Sequence, residues 1–130
     1  MKVFTNGCFD ILHRGHLELL KYCDSMACPA MGGYVTVGLN SDESVKKLKG
    51  TGRPINNQKD RKFHLESLKF VHKVIIFNEE TPYELIKSIE PDIIVKGGDY
   101  KKEDVVGQDL CKVLIFKYLK GYSTTNLLKE

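Results

Sequence analysis

The sequence contains no tryptophan, and no apolar run approaches the roughly 20 residues that span a membrane. Its N-terminus carries no signal-peptide apolar block, because Gly7 and Asp10 interrupt it early. The four cysteines form no CxxC pair, which disfavours a zinc ribbon and a thioredoxin motif. We therefore expect a cytoplasmic protein with reduced thiols and no membrane partner.

Neither positive nor negative charge strongly predominates. Twenty basic and 17 acidic side chains leave a net charge of +3, too weak to indicate nucleic acid as the main partner. Positive charge is concentrated in two short clusters, Lys46-Lys47-Lys49 and Lys59-Arg61-Lys62, and such clusters can bind a phosphorylated small molecule. The length of 130 residues and the ordinary balance of apolar and charged residues predict one globular domain over 1–130.

Short apolar blocks alternate with amphipathic segments from end to end. The apolar blocks predict strands at 3–5, 34–39, 71–77, 93–95 and 113–116. Their nearly continuous apolar content is typical of strands that are buried on both faces. The order of elements predicts an α/β, Rossmann-like fold, with a five-stranded parallel sheet and helices on both faces.

Helices are predicted between these strands. An apolar stripe at spacings of three and four marks a helix over 16–27. A second helix covers 59–70, with Asn57 as its N-cap. Thr81 and Glu84 predict a capping box at the start of a third helix.

The first strand leads into a segment rich in glycine and histidine. In parallel sheets, ligands bind beyond the carboxyl ends of the strands, where the strand order reverses. Gly7 and Gly15 allow a ligand close to the backbone, and the next helix points its free N–H groups at the same place. His13 and His16 are three residues apart at a helix start, so both rings can reach one anion. No GxGxxG or GxxxxGK[ST] motif is present, which disfavours a dinucleotide dehydrogenase and a P-loop enzyme.

The run His13-Arg14-Gly15-His16 resembles the HxGH signature of the nucleotidylyltransferase superfamily. Three further segments match in the expected order: GRPIN at 52–56, VKGGDY at 95–100 and GYSTT at 121–125. The middle segments are most similar to the adenylyltransferase domain of bacterial ADP-heptose synthesis, and all of them also resemble glycerol-3-phosphate cytidylyltransferases. The resemblance covers essentially the whole chain.

This resemblance implies that a sugar or polyol phosphate attacks the α-phosphate of ATP or CTP, and that pyrophosphate leaves. His13 and His16 would donate to the α-phosphate and to the bridging oxygen, while backbone N–H groups around Cys8 and Phe9 would hold the triphosphate. Mg²⁺ would be the cofactor, with ligands largely from phosphates and water, so no residue is assigned as a metal ligand. Small relatives commonly pair, which predicts a homodimer.

The remaining roles also follow from the resemblance. Lys46 and Arg61 join the two histidines as catalytic residues. Lys46 would lie in a mobile basic loop that contacts both substrates, and Arg61 would bind a phosphate through two parallel hydrogen bonds. Substrate-binding residues are Asp10, Lys49 and Arg53. Nucleotide-binding residues are Asn6, Gly7, Cys8, Phe9, Gly15, Lys96, Gly97, Asp99, Ser123, Thr124 and Thr125.

Several of these residues also have purely structural interpretations. Asp10 is either a contact to the metal ion or a cap of its turn, and Arg53 either binds substrate or braces the loop before Pro54. The Cys8 thiol has no partner base and indicates a small packing residue. The family's terminal arginine is absent here, which leaves room for an alternative function as an inactive nucleotide-binding module.

Overall fold

The computed structural model describes residues 1–117, and within that range five parallel strands form one sheet. The strands are β1 (Lys2–Gly7), β2 (Tyr34–Asn40), β3 (Lys73–Phe77), β4 (Ile93–Gly97) and β5 (Lys112–Phe116). Their order across the sheet is β3-β2-β1-β4-β5, and every neighbouring pair is parallel. The predicted five-stranded parallel sheet is confirmed.

Four α-helices connect these strands within residues 1–117. They are α1 (Arg14–Ala27), α2 (Asp42–Lys49), α3 (Gln58–Glu66) and α4 (Tyr83–Ile89). One apolar cluster joins the buried faces of α1 and α3 to the sheet through Leu19, Leu20 and Leu65. A second cluster joins Ile86 of α4 to Phe4 and its neighbours. No helix of residues 1–117 has both the length and the apolar character that a membrane crossing requires.

The helix starts agree with the predictions in one case and differ in two. The side chain of Asn57 caps α3 as predicted, accepting the Asp60 N–H at 2.8 Å. The capping box predicted at Thr81 is wrong: α4 begins after Pro82 and has no side-chain cap, because Thr81 lies one residue too early to serve as N-cap. The other difference is at the basic segment 46–49, which is helical.

That basic segment is the last turn of α2, and the expectation of a loop there is wrong. The Ser41 hydroxyl caps α2 by accepting the Ser44 N–H at 3.1 Å. Two acidic residues occupy its first turn, and the lysines occupy its last, which is the arrangement that the helix dipole favours. The lysines therefore extend from an ordered helix after β2.

The sheet order places the reversal of strand order beside β1. The chain moves from β1 to β2 on one side, and β4 pairs with β1 on the other. The carboxyl ends of β1 and β4, at Gly7 and Gly97, therefore flank a crevice.

Candidate functional site

A cavity of about 450 Å³ opens at this crevice. Ten of the residues predicted from the sequence lie along its wall: Asn6, Gly7, Cys8, Phe9, Asp10, His13, His16, Lys49, Lys96 and Gly97. The wall also contains residues to which the sequence analysis assigned no site role: Asn40, Leu48, Glu80, Thr81, Pro82, Tyr100, Asp104, Val105 and Val106. Most of these lie at or after the carboxyl ends of β2, β3 and β4. Their position after a predicted strand was therefore the sequence feature that could have identified them as site residues.

The two histidines form a stacked pair at the start of α1. His13 is the N-cap residue, and its backbone N–H donates to Nδ1 of His16 at 3.3 Å. The rings stack with centroids 3.8 Å apart at an interplanar angle of 25°. Because Nδ1 of His16 accepts a hydrogen bond, its neutral ring carries the proton on Nε2. The pair therefore places two stacked imidazoles at the cavity wall.

Burial keeps both imidazoles neutral. It lowers the pKa of His16 to about 3. Repulsion from His13, when that ring is protonated, and from Lys49 adds to this effect, and a hydrogen bond with the Ile11 backbone acts in the opposite direction. Burial also lowers the pKa of His13. Near pH 7 the two rings carry no net charge, so other groups must supply the positive charge that a phosphate requires.

The lowered pKa of His16 predicts a pH dependence of stability. Unfolded His16 takes up a proton near pH 6.5, whereas the folded residue does so only near pH 3. The unfolded state binds more protons in this window, so the free energy of unfolding falls as the pH drops, by up to about 1.4 kcal/mol per pH unit. His16→Asn should reduce that slope in urea titrations between about pH 4 and about pH 7.5. Exposed His64→Asn is the control, and an unchanged slope in His16→Asn would contradict the prediction.

Asp10 holds the loop that precedes α3. Its Oδ2 accepts from Nε of Arg53 at 3.2 Å and from the Ile55 N–H at 2.7 Å, and Oδ1 accepts from the Asn56 N–H at 2.8 Å. Burial would raise the pKa of Asp10, but these hydrogen bonds outweigh it, and the pKa is lowered. Asp10 could contact the metal ion or cap a turn, and the structure favours the cap. Arg53 could bind substrate or brace the loop, and the structure favours the brace, because Arg53 does not line the cavity.

Replacing Asp10 with asparagine should therefore cost stability. The carboxylate is almost fully buried and accepts three hydrogen bonds among the described residues, one of them from a cation. An amide has one acceptor oxygen and would leave buried donors unsatisfied, so we expect a loss of about 2 kcal/mol in the free energy of unfolding. Urea unfolding measures this loss, and Asp99→Asn, at an exposed position, is the matched control. Equal stability of the two variants would refute the capping role.

The prediction that Arg61 grips a phosphate directly is corrected by its placement. Its side chain is 0% exposed and does not line the cavity. Nε donates to the Asn56 carbonyl at 2.9 Å. Nη1 donates to the carbonyls of Cys8 at 2.9 Å and Asn40 at 2.8 Å. Nη2 donates to Oδ1 of Asp42 at 2.7 Å, so the guanidinium is committed to the protein itself.

Three other predicted residues also lie away from the cavity wall. Lys46 is exposed on α2, while Lys49, one turn later, reaches the wall. Gly15 is buried in the first turn of α1. Asp99 is exposed and follows Gly98, which has a φ of +114°. The next residue, Tyr100, lines the wall.

Lys96 supplies positive charge from the end of β4. Its Nζ lies 5.0 Å from the ring centroid of Tyr100, a cation–π distance. Burial lowers the pKa of Lys96, and the nearby Cys8 acts in the opposite direction. Burial also raises the pKa of the Cys8 thiol, so that thiol is neutral near pH 7, as expected for a packing residue.

Comparison with known proteins identifies the family. A family model described as cytidylyltransferase-like matches residues 4–128. The chain belongs to the cytidylyltransferase-like family. It is 57% identical over 129 residues to the bifunctional protein HldE of Aliarcobacter butzleri and 47% identical to that of Helicobacter pylori strain J99. Each alignment covers 98% of this chain but only 26% and 27% of the relative, so the chain spans about a quarter of those proteins.

Solved structures share the fold of this cytidylyltransferase-like chain. A lipopolysaccharide core biosynthesis protein from Thermoplasma volcanium superposes with a TM-score of 0.72 at 26% identity, covering 95% of this chain and 98% of that one. A macrolide-efflux protein from Streptococcus pneumoniae shares the fold at 22% identity and a TM-score of 0.70. The family predicted from the HxGH run and its companion segments is confirmed.

The described residues of the cytidylyltransferase-like site offer few ligands of their own for a metal ion. Within residues 1–117, no group of three or more His, Cys, Asp or Glu side chains could hold a metal. The carboxylate of Asp10 is engaged by Arg53 and by the loop backbone. A hard cation at this cavity would therefore take its oxygen ligands mainly from phosphates and water. The predicted triphosphate contacts Ser123, Thr124 and Thr125 lie outside the described residues.

Proposed function

We propose that residues 1–130 form one nucleotidylyltransferase domain that transfers AMP from ATP to D-glycero-D-manno-heptose 1-phosphate. An oxygen of the sugar phosphate forms a bond to the α-phosphorus, the bond from that phosphorus to the bridging oxygen breaks, and pyrophosphate leaves. The stacked pair of His13 and His16 in the cavity carries this proposal. The identity of 57% to a protein named HldE supports the heptose substrate.

The cavity is suited to holding a triphosphate against an attacking phosphate. His13 and His16 donate hydrogen bonds to the α-phosphate and the bridging oxygen, where negative charge develops in the transition state. Lys49 and Lys96 reach the cavity from α2 and β4 and provide positive charge. Mg²⁺ bound to the triphosphate neutralises part of its charge and so favours departure of pyrophosphate.

The rest of the wall suits an acceptor that is rich in hydroxyl groups. Glu80 and Asp104 place carboxylates there, and Thr81 adds a hydroxyl. Carboxylates accept hydrogen bonds from sugar hydroxyls and repel additional phosphate. This polar wall favours a sugar phosphate with its phosphate directed toward the histidines.

The second candidate is a cytidylyltransferase that transfers CMP from CTP to glycerol 3-phosphate or a similar polyol phosphate. It requires the same phosphate chemistry, and the cytidylyltransferase-like family model favours it. An inactive module that binds nucleotide is the third candidate. A homodimer in the cytoplasm is part of our proposal, and light scattering after size-exclusion chromatography tests its oligomeric state.

Pyrophosphate release separates these candidates. ATP and CTP would each be tested with heptose 1-phosphate and with glycerol 3-phosphate, in Mg²⁺ and in chelator. We expect turnover with ATP and the heptose phosphate, and its loss in chelator. Turnover with CTP and glycerol 3-phosphate would establish the second candidate. Nucleotide binding without turnover in any combination would favour the inactive module.

A further inference from the structure

The side chain of Asn40 is held in one orientation at the end of β2. Its Nδ2 donates to Oγ of Ser44 at 3.0 Å, and Oγ of Ser44 donates to the Glu79 carbonyl at 3.3 Å. A serine hydroxyl has a single hydrogen, so Ser44 can only accept from Asn40. This network fixes which end of the amide is the nitrogen, and it turns Oδ1 of Asn40 away from Ser44.

Oδ1 of Asn40 is a hydrogen-bond acceptor that the surrounding protein leaves unused. Asn40 is only 4% exposed, and it lines the cavity. Within residues 1–117, no hydrogen-bond donor reaches Oδ1, and this oxygen is not sealed off from solvent. The small exposed part of Asn40 lies on the cavity wall, so Oδ1 is available there to a bound molecule.

An amide oxygen selects a particular kind of ligand group. It accepts hydrogen bonds and donates none, so it binds a hydroxyl or an amine and does not bind a phosphate oxygen. Ser44 ties this amide to the segment after β3 through the Glu79 carbonyl. The next two residues, Glu80 and Thr81, place a carboxylate and a hydroxyl on the wall. The side of the cavity that follows β2 and β3 therefore presents acceptors for hydroxyl groups.

The opposite side of the cavity has a different surface. After β4 the wall carries the ring of Tyr100 and the apolar side chains of Val105 and Val106. A flat ring beside apolar groups suits a nucleotide base, which binds through its faces. In phosphoryl transfer the attacking and leaving oxygens lie roughly in line, so the two substrates approach the α-phosphorus from opposite sides. The β2 and β3 side is therefore left for the attacking phosphate and the carbon chain attached to it.

We propose that Asn40 determines acceptor specificity by accepting a hydrogen bond from a hydroxyl group of the sugar or polyol phosphate, and that Ser44 positions its amide. This inference rests on the proposed function, because it assigns the acceptor side of the same site. It explains why a buried amide at a strand end keeps its oxygen unpaired. It also explains why Ser44, which is 1% exposed and does not line the cavity, links that amide to the Glu79 carbonyl.

The first test compares Asn40→Ala with the wild type by calorimetry. Acceptor binding would be measured on protein saturated with an ATP analogue that has a methylene group between its α- and β-phosphates, so that no reaction occurs. Loss of one hydrogen bond predicts that heptose 1-phosphate binds about 3- to 10-fold more weakly. The affinities for the ATP analogue and for propyl phosphate, a phosphate monoester without hydroxyl groups, should not change.

The matched control is Asn78→Ala, at the end of β3. Oδ1 of Asn78 accepts from the Ser41 hydroxyl at 2.6 Å, and Asn78 does not line the cavity. This variant should leave all three affinities unchanged. A weaker affinity of Asn40→Ala for the ATP analogue would place Asn40 against the nucleotide, and an equal loss for propyl phosphate would show a general disturbance of the site. Either result, or unchanged affinities, would overturn the proposal.

The second test leaves Asn40 in place and removes its support. Ser44→Ala frees the amide to turn round, so heptose 1-phosphate should bind about 3- to 10-fold more weakly. Ser44→Thr keeps a hydroxyl and should bind this acceptor more tightly than Ser44→Ala. A merely structural role would lower the Tm of Ser44→Ala and leave its acceptor affinity at the wild-type value. That result would overturn the inference even if Asn40→Ala failed to fold.

These measurements keep the inference separate from the proposed function. A wild-type protein that binds heptose 1-phosphate without turning it over would refute the proposed reaction, and the variants would still decide the role of Asn40. Binding of glycerol 3-phosphate alone would refute the heptose assignment, and the same comparison would then be made with that acceptor. If the wild type bound neither compound, both the proposed function and the inference would be wrong.

Discussion

Replacing His16 with asparagine should lower kcat for pyrophosphate release roughly 100- to 1,000-fold, because the donor to the developing charge is lost. The shorter amide can still accept the His13 N–H that caps α1, so the variant should remain folded. His16→Gln places an amide donor near the position of Nε2 and should retain more activity than His16→Asn. Steady-state kinetics and circular dichroism of both variants measure these effects.

The matched control is His64→Asn, at an exposed position on α3 away from the cavity wall. It should leave kcat unchanged. Full activity in His16→Asn would eliminate the histidine pair as the catalytic element. A loss of helical signal parallel to the loss of activity would instead assign His16 to capping alone.

Replacing Lys96 with methionine should lower the activity without lowering the stability. The methionine keeps most of the apolar stem of Lys96 but removes its positive charge. That charge is partly buried, and burial lowers the pKa of Lys96. Without that charge near the phosphates, kcat/KM for ATP should fall about 10- to 100-fold. The Tm should stay equal or rise, because a partly desolvated charge no longer opposes folding.

Lys47→Met is the control for this experiment, since Lys47 is exposed on α2 and does not line the cavity. It should change neither kcat/KM for ATP nor the Tm. A Lys96→Met protein that retains wild-type kinetics would remove Lys96 from the phosphate site. A large drop in Tm would show that Lys96 stabilises the fold through its stem or its contact with Tyr100.

The fold was predictable because its determinants are local. Apolar blocks such as residues 34–39 and 93–95 correspond to buried parallel strands, and Asn57 caps α3 as its residue type predicts. The prediction at Thr81 failed because a capping box depends on the residue at which the helix begins, which is Tyr83 here. Helix boundaries are less determined by residue type than the existence of the helix.

The site was predictable only in part, and Arg61 shows the reason. A basic residue near a phosphate motif suggests a phosphate contact, but the same guanidinium can satisfy carbonyl groups of the protein. Its partners Cys8 and Asn40 are 53 and 21 residues away along the chain. No local pattern encodes such distant partners, so the charge alone could not distinguish a ligand contact from an internal brace.

The sequence by itself determined the parallel sheet, the family and the placement of the histidines after β1. These depend on the apolar pattern and on motifs that are contiguous along the chain. The tertiary structure decided which charged groups reach the cavity: Lys49 and Lys96 line it, whereas Arg61 and Arg53 are directed into the protein. The physical reason is that a buried charge takes whichever partners surround it, and folding brings those partners together from distant parts of the chain.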